Sequence, residues 1–299
     1  MKLGLGLMTI AAVTMSTAPT RSIAAVAVSK SNLPKACSRK IGRPFRVFNA
    51  LTFDGQPNMA DFGMEPIHII DRDIWAPNVP RSGPPDPDMV SRYTRSLKAD
   101  GAPIVLDFED FAVDQSAELT ADSVFRLRRI LKAFRVAAPR RPIGYYAYLP
   151  LRDYWRRIKG RGSPEFRAWQ SQNDRVKPLE RDVSMLFPSL YTLYENRDGW
   201  RRFAIDNICE ARRISHKPVY IFLWPGYENP AFMGRPVEGT YWAMELEVAH
   251  QYADGIVLWG GANVETNSGR YPWNPVAGWW TETRKFLDKI GLNSVERRR

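Results

Sequence analysis

At residues 103–111 the chain reads PIVLDFEDF, an apolar run that ends in acidic residues. A strand that is apolar at every position is typical of a parallel sheet covered by helices on both faces. The run GIVLW at 255–259 has the same character. Five further β-rich runs occur along the chain, at 45–50, 67–71, 142–146, 183–190 and 219–223. The sequence therefore predicts seven strands of a mainly parallel α/β sheet.

Longer segments separate these strands. Apolar residues recur at helical spacing in 124–134 and 200–211, with Arg residues on the opposite faces, which predicts amphipathic helices. The Pro-rich stretch 77–87 and the polar stretch 160–178 are predicted to be loops at the rim. No Gly-rich motif for a dinucleotide or a nucleoside triphosphate is present. We therefore predict an α/β fold, a (β/α)7 TIM-like barrel in a single domain, with its chemistry at the carboxyl ends of the strands.

Two acidic residues lie where the third strand ends. Asp107 and Glu109 are two positions apart, so they project to the same side of the strand, about 6 to 7 Å apart along the chain. Two carboxylates held close raise one another's proton affinity, so that one can act as a general acid while the other stays charged. Glycoside cleavage requires such a pair. The pattern fits equally well two rim carboxylates that pair with the many arginines.

Aromatic residues follow four other strands. Tyr146, Tyr191, Trp224 and Trp259 stand at or just past the predicted strand ends. Sugar rings pack their apolar faces on Trp and Tyr, and the phenol oxygens hydrogen-bond to sugar substituents. Rings that only line a barrel would give a similar pattern. Their recurrence at successive strand ends favours a saccharide cleft.

The chain is basic, with 43 Lys and Arg against 32 Asp and Glu and a net charge of +11. Such an excess favours polyanionic partners: acidic polysaccharide, nucleic acid or anionic lipid. The basic residues are scattered, which is typical of solvated helix faces. Because no nucleic-acid motif is present, we expect a polysaccharide partner and no nucleic acid. The positive charge of the chain favours an anionic polysaccharide.

The N-terminal segment predicts export. Lys2 precedes an apolar run at 3–18, and the small residues at 25–27 suit a signal peptidase. We predict a signal peptide at 1–27 and a mature catalytic domain at 28–299, a monomer that is secreted or periplasmic. The apolar run is too short and too polar for a comfortable membrane span, so membrane insertion is not expected.

The cysteines leave two possibilities open. In an oxidising compartment Cys37 and Cys209 pair, or both remain free thiols. Neither stands in a CxxC motif, and the three His residues are far apart in the sequence, so no metal site is predicted.

Short motifs in a common order resemble the hyaluronidases of animals and venoms. That family has an Asp-x-Glu motif, usually with Trp in the middle, where this chain has Phe108, and its fold is a barrel of seven strands. The matching pieces are Asn49, Asp71-Arg72, Asp107-Phe108-Glu109, Gly144-Tyr145-Tyr146, Phe187-Pro188-Ser189-Leu190-Tyr191 and residues 255–260.

The resemblance implies glycoside hydrolysis with retention, in which the N-acetyl group of the substrate acts as the nucleophile. Glu109 would protonate the glycosidic oxygen, and Asp107 would orient the acetamido group. Tyr146 and Tyr191 would hydrogen-bond or position that group, and Trp259 would form the floor beneath the sugar. The matching position of Asp71 makes it a further substrate-binding residue. No metal or organic cofactor is implied.

Three alternatives stay open at this point. The first concerns the substrate, which is hyaluronan or another polymer that contains N-acetylhexosamine. Glu228 or Glu195 instead acts as a direct nucleophile opposite Glu109, which needs no acetamido group on the substrate. In a third interpretation the barrel binds a polysaccharide without cutting it.

Overall fold

The computed structural model describes residues 37, 43–71, 74–76, 79–80, 83–264, 266 and 268–292, and the predicted signal peptide at 1–27 lies outside them. Strands and helices alternate along the described chain, which makes the fold mixed α/β. Their order is β1 (Arg46–Leu51), β2 (Glu65–Pro66), β3 (His68–Ile70), α1 (Pro87–Ser96), β4 (Ile104–Leu106), α2 (Ala117–Ala137), β5 (Ile143–Tyr145), α3 (Tyr154–Ile158), α4 (Pro164–Val176), α5 (Arg197–Ile214), β6 (Tyr220–Leu223), α6 (Gly239–Tyr252), β7 (Gly255–Gly260) and α7 (Gly278–Lys289).

The strands pair in parallel and form two sheets, one in the order β2-β1-β7-β6 and one in the order β3-β4-β5. The first and last strands are neighbours, with Arg46 opposite Gly255 and Leu51 opposite Gly260. β2 and β3 lie on either side of Ile67 and belong to different sheets. The predicted strand at 67–71 is thus split, and the described residues do not form one continuous seven-stranded ladder.

The predicted strand at 183–190 is also not part of a ladder. Pro188 has no N–H to donate, which interrupts regular pairing. Its carbonyl oxygen still accepts a hydrogen bond from the backbone N–H of Phe222 at 2.8 Å. Isolated parallel bridges therefore connect this segment to β6 and to the residue that follows β5. They join Leu186 to Val219, Ser189 to Phe222 and Tyr146 to Phe187.

Gly144, within β5, lets this segment come close. A Cβ at Gly144 would lie 2.6 Å from the carbonyl oxygen of Met185 and 2.8 Å from the ring of Phe187. Cβ atoms do not approach other atoms so closely, so any side chain here would push the segment away from β5.

Side chains of each strand alternate between two apolar clusters. Ile104 and Leu106 of β4 pack with the helices in the outer cluster, whereas Val105 belongs to the inner one. The inner cluster is rich in aromatic rings: Phe48, Tyr146, Phe187, Tyr191, Tyr220, Phe222 and Trp224. Because alternate residues share a face, Asp107 continues on the same side as Val105. The inner cluster thus leads directly to the acidic strand end.

Both predicted amphipathic helices are present, as α2 and α5. The prediction of a polar loop at 160–178 is wrong, because this stretch contains α4. Ser163 caps the helix by accepting a hydrogen bond from the backbone N–H of Phe166. Phe166, Trp169, Asn173 and Val176 are buried at intervals of three or four residues, and the charged residues between them concealed the period.

A disulfide joins Cys37 to Cys209 of α5, with their Cα atoms 4.7 Å apart. It connects the N-terminal part of the chain to the outer helices across a sequence separation of 172 residues. Such a covalent link reduces the conformational freedom of the unfolded chain. Within the described segments, no helix has the length and hydropathy that a membrane crossing requires.

Candidate active site

The two predicted carboxylates lie together at the carboxyl end of β4. The backbone N–H of Asp107 donates to the carbonyl oxygen of Ile70 at 2.9 Å, which continues the pairing with β3. The side chains of Asp107 and Glu109 share a hydrogen bond. Glu109 is exposed, whereas Oδ1 of Asp107 is buried and has no hydrogen-bond partner. One carboxyl thus faces the solvent and the other lies beneath it.

The pKa of Asp107 is raised well above its usual value. The main cause is burial, which removes the charged form from water, and the negative charges of Glu109 and Asp71 raise it further. The hydrogen bond between the two carboxyls requires a proton on one of them. Burial therefore favours a proton on Asp107, and the hydrogen bond shares that proton with Glu109.

The backbone between the two carboxylates is held in place by a residue of the segment after β5. The hydroxyl of Tyr148 donates a hydrogen bond to the carbonyl oxygen of Phe108 at 2.5 Å. The buried Phe108 ring packs edge-on against Trp75, with the ring centroids 6.0 Å apart. Phe108 therefore faces away from the carboxylates and holds the strand end in place.

Two tyrosines stand beside the carboxylates. The hydroxyl of Tyr146 donates to Oγ of Ser189 at 2.8 Å, and the phenol of Tyr191 hydrogen-bonds to Tyr146. Burial raises the pKa of both tyrosines, so their phenols stay protonated. The charge of Asp107 acts on both, which places them near the acidic pair.

An aromatic wall is formed by three rings that pack together, those of Tyr191, Trp224 and Trp259. The rings of Tyr191 and Trp259 are stacked, with centroids 5.6 Å apart. Trp224 packs edge-on against both of them, at 5.8 Å and 5.2 Å. Trp259 is only partly buried, so its ring remains accessible to a sugar.

The structure places all six predicted site residues at or near the carboxyl ends of β3, β4, β5 and β7 and of the segment 183–190: Asp71, Asp107, Glu109, Tyr146, Tyr191 and Trp259. Asp71 directly follows β3 and is exposed, and its charge acts on Asp107. The part of the chain that the structure describes holds no group of three or more His, Cys, Asp or Glu side chains that could bind a metal ion.

Sequence reasoning missed Arg152, which is part of this constellation. Nη1 of Arg152 donates to Oγ of Ser189 at 3.3 Å and also forms an ion pair with Glu228. Its charge also acts on Tyr146 and Glu109. The signal available in the sequence was a lone arginine in the loop after the fourth predicted strand, but its partners lie on other strands.

The two rival carboxylates differ in their surroundings. Burial raises the pKa of Glu228 although Arg152 opposes this, and the negative charge of Glu109 raises it further. Glu228 thus lies within electrostatic reach of Glu109. Glu195 forms an ion pair with Arg235, and 69% of its side chain is exposed. Only Glu228 therefore joins the constellation.

A buried acid supports the strand end behind Tyr191. Glu245 of α6 is fully buried, and its Oε1 accepts a hydrogen bond from Oγ1 of Thr192 at 2.6 Å, while Oε2 has no partner. The backbone carbonyl of Thr192 in turn accepts from the N–H of Glu228 at 2.9 Å. Burial raises the pKa of Glu245 well above its usual value. Burial therefore favours the neutral form of Glu245 in the folded protein.

We expect Glu245→Gln to make the free energy of unfolding less sensitive to rising pH. Because the folded protein holds the Glu245 proton more tightly than the unfolded chain, the free energy of unfolding falls as pH rises from the usual carboxyl pKa towards the raised one. Gln cannot titrate and still accepts from Thr192. Urea unfolding between pH 4 and 8 should show that the variant gains stability relative to wild type as pH rises. A constant difference across this range would contradict the assignment.

The fold that carries this site is similar to that of bee venom hyaluronidase. No protein-family model matches the chain, and no curated protein matches it. The crystal structure of bee venom hyaluronidase is 15% identical, with a TM-score of 0.55, and the match covers 85% of this chain and 100% of that one. The same enzyme in complex with a hyaluronic acid tetramer is 14% identical, with a TM-score of 0.57 and coverages of 82% and 96%. The predicted resemblance to the hyaluronidases is confirmed for the fold.

Proposed function

We propose that this protein is a glycoside hydrolase that cleaves an N-acetylhexosamine-containing polysaccharide with retention, using the acetamido group of the substrate as the nucleophile. The observation that carries the proposal is the hydrogen-bonded pair of Asp107 and Glu109. Asp107 is half-buried and Glu109 is exposed, and aromatic rings adjoin the pair. The shared fold with bee venom hyaluronidase supports the proposal.

In the proposed first step the acetamido oxygen attacks the anomeric carbon while Glu109 gives its proton to the glycosidic oxygen, and the glycosidic bond breaks. The shared hydrogen bond supplies the route by which the proton reaches Glu109. Asp107 accepts a hydrogen bond from the acetamido N–H and stabilises the positive charge of the cyclic intermediate. Asp107 as a whole is only half-buried, which leaves part of its carboxyl within reach of a substrate.

In the second step a water molecule attacks the anomeric carbon and gives a proton to the Glu109 carboxylate. The ring of the intermediate opens, the acetamido group is restored, and one glycosidic bond has been hydrolysed. Tyr146 and Tyr191 position the acetamido group with their neutral phenols, Trp259 stacks beneath the sugar, and Asp71 contacts a sugar hydroxyl.

The half-buried Glu228 supports a second candidate, a two-carboxylate glycosidase. In that reaction Glu228 forms a covalent bond to the anomeric carbon, and the acetamido group is dispensable. The ion pair with Arg152 argues against it, because a carboxylate held by a guanidinium is less available for attack. A third candidate is a polysaccharide-binding protein without activity.

The proposal also includes the architecture of the sheet. We propose that the bridges at 186–189 and the junction at Ile67 complete a (β/α)7 barrel in one domain, since they connect the neighbouring strands of the two sheets. The proposal extends to where the protein acts and in what state. We also propose that the protein acts as a secreted or periplasmic monomer after removal of residues 1–27. The disulfide between Cys37 and Cys209 supports an oxidising compartment.

Release of reducing ends from hyaluronan, chondroitin and chitin oligomers tests the function. We expect one of these polymers to be cut with retention, and the same polymer without its N-acetyl groups to be cut about a thousandfold more slowly, because the intramolecular nucleophile is lost. Equal cleavage of both forms would favour Glu228 as the nucleophile. Saturable binding without any release would favour the binding protein.

A further inference from the structure

A basic groove with a volume of about 530 Å³ lies on the outer side of α2, against the 3₁₀ turn at Lys177–Arg181. Its charged lining consists of five cations and one carboxylate: Arg128, Arg129, Lys132, Arg135, Arg181 and Asp182. It is built from a helix and a turn, whereas the candidate active site lies at strand ends. Neither the proposed reaction nor the aromatic wall uses any of these residues.

The single carboxylate of the groove is already engaged. Asp182 forms an ion pair with Arg128 at 2.5 Å. Arg135 is tied to the protein as well, because it donates to Oγ of Ser184 at 2.5 Å and to the carbonyl oxygen of Arg141 at 2.8 Å. The groove therefore holds no spare negative charge among the described residues.

Three cations remain for a ligand. The side chains of Arg129, Lys132 and Arg181 form no ion pair or hydrogen bond with another of the residues that the structure describes. Clustered like charges repel one another and attract anions into the space between them. Most arginines around the candidate active site and in the α3–α5 region, in contrast, face a carboxylate.

An exposed aromatic ring completes the groove. The side chain of Phe125 is among the exposed large apolar groups, at 60%, and the guanidinium of Arg129 lies 5.6 Å from its ring centroid. Phe125, Arg129 and Lys132 lie four and three residues apart, so they share one face of α2. A ring flanked by cations presents a stacking surface for a sugar and charge partners for its acidic groups.

We propose that this groove is a second binding surface, which holds the carboxylate- or sulfate-bearing chain of an anionic polysaccharide outside the catalytic cleft. The proposal rests on the proposed function only for the identity of the polymer. Charge complementarity and the exposed ring argue for an acidic saccharide chain. The disulfide argues against nucleic acid, because it is typical of compartments outside the cytosol.

The test compares two charge reversals of equal size in the Glu109→Gln background, which keeps the polymer intact during the measurement. Arg129→Glu with Lys132→Glu alters the groove, and Arg201→Glu with Arg284→Glu alters exposed positions on α5 and α7. Binding of hyaluronan and chondroitin sulfate oligosaccharides is measured by calorimetry at low ionic strength. We expect the groove variant to bind roughly tenfold more weakly and the control to change less than about twofold.

A second variant tests the groove in the opposite direction. Asp182→Asn removes its only carboxylate and frees Arg128, so we expect tighter binding that weakens with salt. Equal losses in the groove variant and the control, or no gain in Asp182→Asn, would overturn the proposal. So would tighter binding of a single-stranded oligonucleotide, or of vesicles with anionic lipid, to the same cations.

The outcome is separable from the proposed function. If wild type cuts no polymer but the two charge reversals still differ in binding, the proposed hydrolase is wrong and the groove stands. If wild type cuts the polymer but the two reversals bind alike, the groove is wrong and the hydrolase stands.

Discussion

Replacement of Glu109 by Gln is expected to lower the rate of polymer cleavage by about 10²- to 10⁴-fold, because Gln cannot protonate the leaving oxygen. Gln has nearly the same size and keeps hydrogen bonding to Asp107, so binding of the polymer should persist. In wild type the rate should also fall as pH rises through the raised pKa of Asp107, because the proton that the hydrogen bond shares with Glu109 is then lost. Steady-state kinetics on wild type and variant across pH measure both effects.

Two further variants control this result. Glu195→Gln removes a carboxylate that is largely exposed and paired with Arg235, and its rate should match wild type. Glu228→Gln breaks the pair with Arg152 and should cost less than Glu109→Gln. A Glu109→Gln enzyme with nearly full rate would refute the role of the acid. An equal loss in Glu228→Gln, with a trapped covalent intermediate, would establish the two-carboxylate reaction.

Asp206→Ala is expected to lower the free energy of unfolding by about 3 to 5 kcal/mol, because it leaves a buried cation without a counter-charge. Arg157 is fully buried and donates to Asp206 at 2.8 Å, and Arg161 reaches the same carboxylate at 2.6 Å. The guanidinium of Arg157 lies 3.6 Å from the ring centroid of Phe166 and 4.0 Å from that of Trp169. Chemical denaturation of wild type and variant measures the loss.

The matched control is Asp174→Ala, which removes a carboxylate whose side chain is 55% exposed and which pairs with Arg213. It should cost less than about 1 kcal/mol. Adding Arg157→Met to Asp206→Ala should recover much of the loss, since an apolar chain of similar length has no charge to bury. A loss near that of the control would mean that Arg157 finds another partner or reaches water.

Local sequence patterns predicted most of the strands and the position of the acidic pair. PIVLDFEDF contains both the alternation that sends Val105 inward and the two carboxylates on the same side. Tyr146 and Tyr191 could be placed because each directly follows an apolar run. Periods of two and of three to four residues are local properties, so a single sequence displays them.

Contacts between distant segments were beyond the sequence. Arg152, Ser189 and Glu228 follow different strands, and only the order of these strands around the molecule brings them together. The proline at 188 interrupts the ladder in a way that the apolar composition of 183–190 does not reveal. Whether the cysteines pair likewise depended on where α5 packs. Each of these features depends on which segments are close together in the folded protein, and residue type alone does not reveal that.

The pairing of β1 with β7 sets the order in which a newly made chain can fold. β1 is synthesised long before β7, its longest partner strand, because the other strands and most of the helices lie between them in the chain. Until then one edge of β1 carries unpaired N–H and carbonyl groups, which are a template for association with other chains. Contacts so distant in sequence also make closure slow. During its synthesis the chain is therefore most prone to association at the open edge of β1 until β7 has been made.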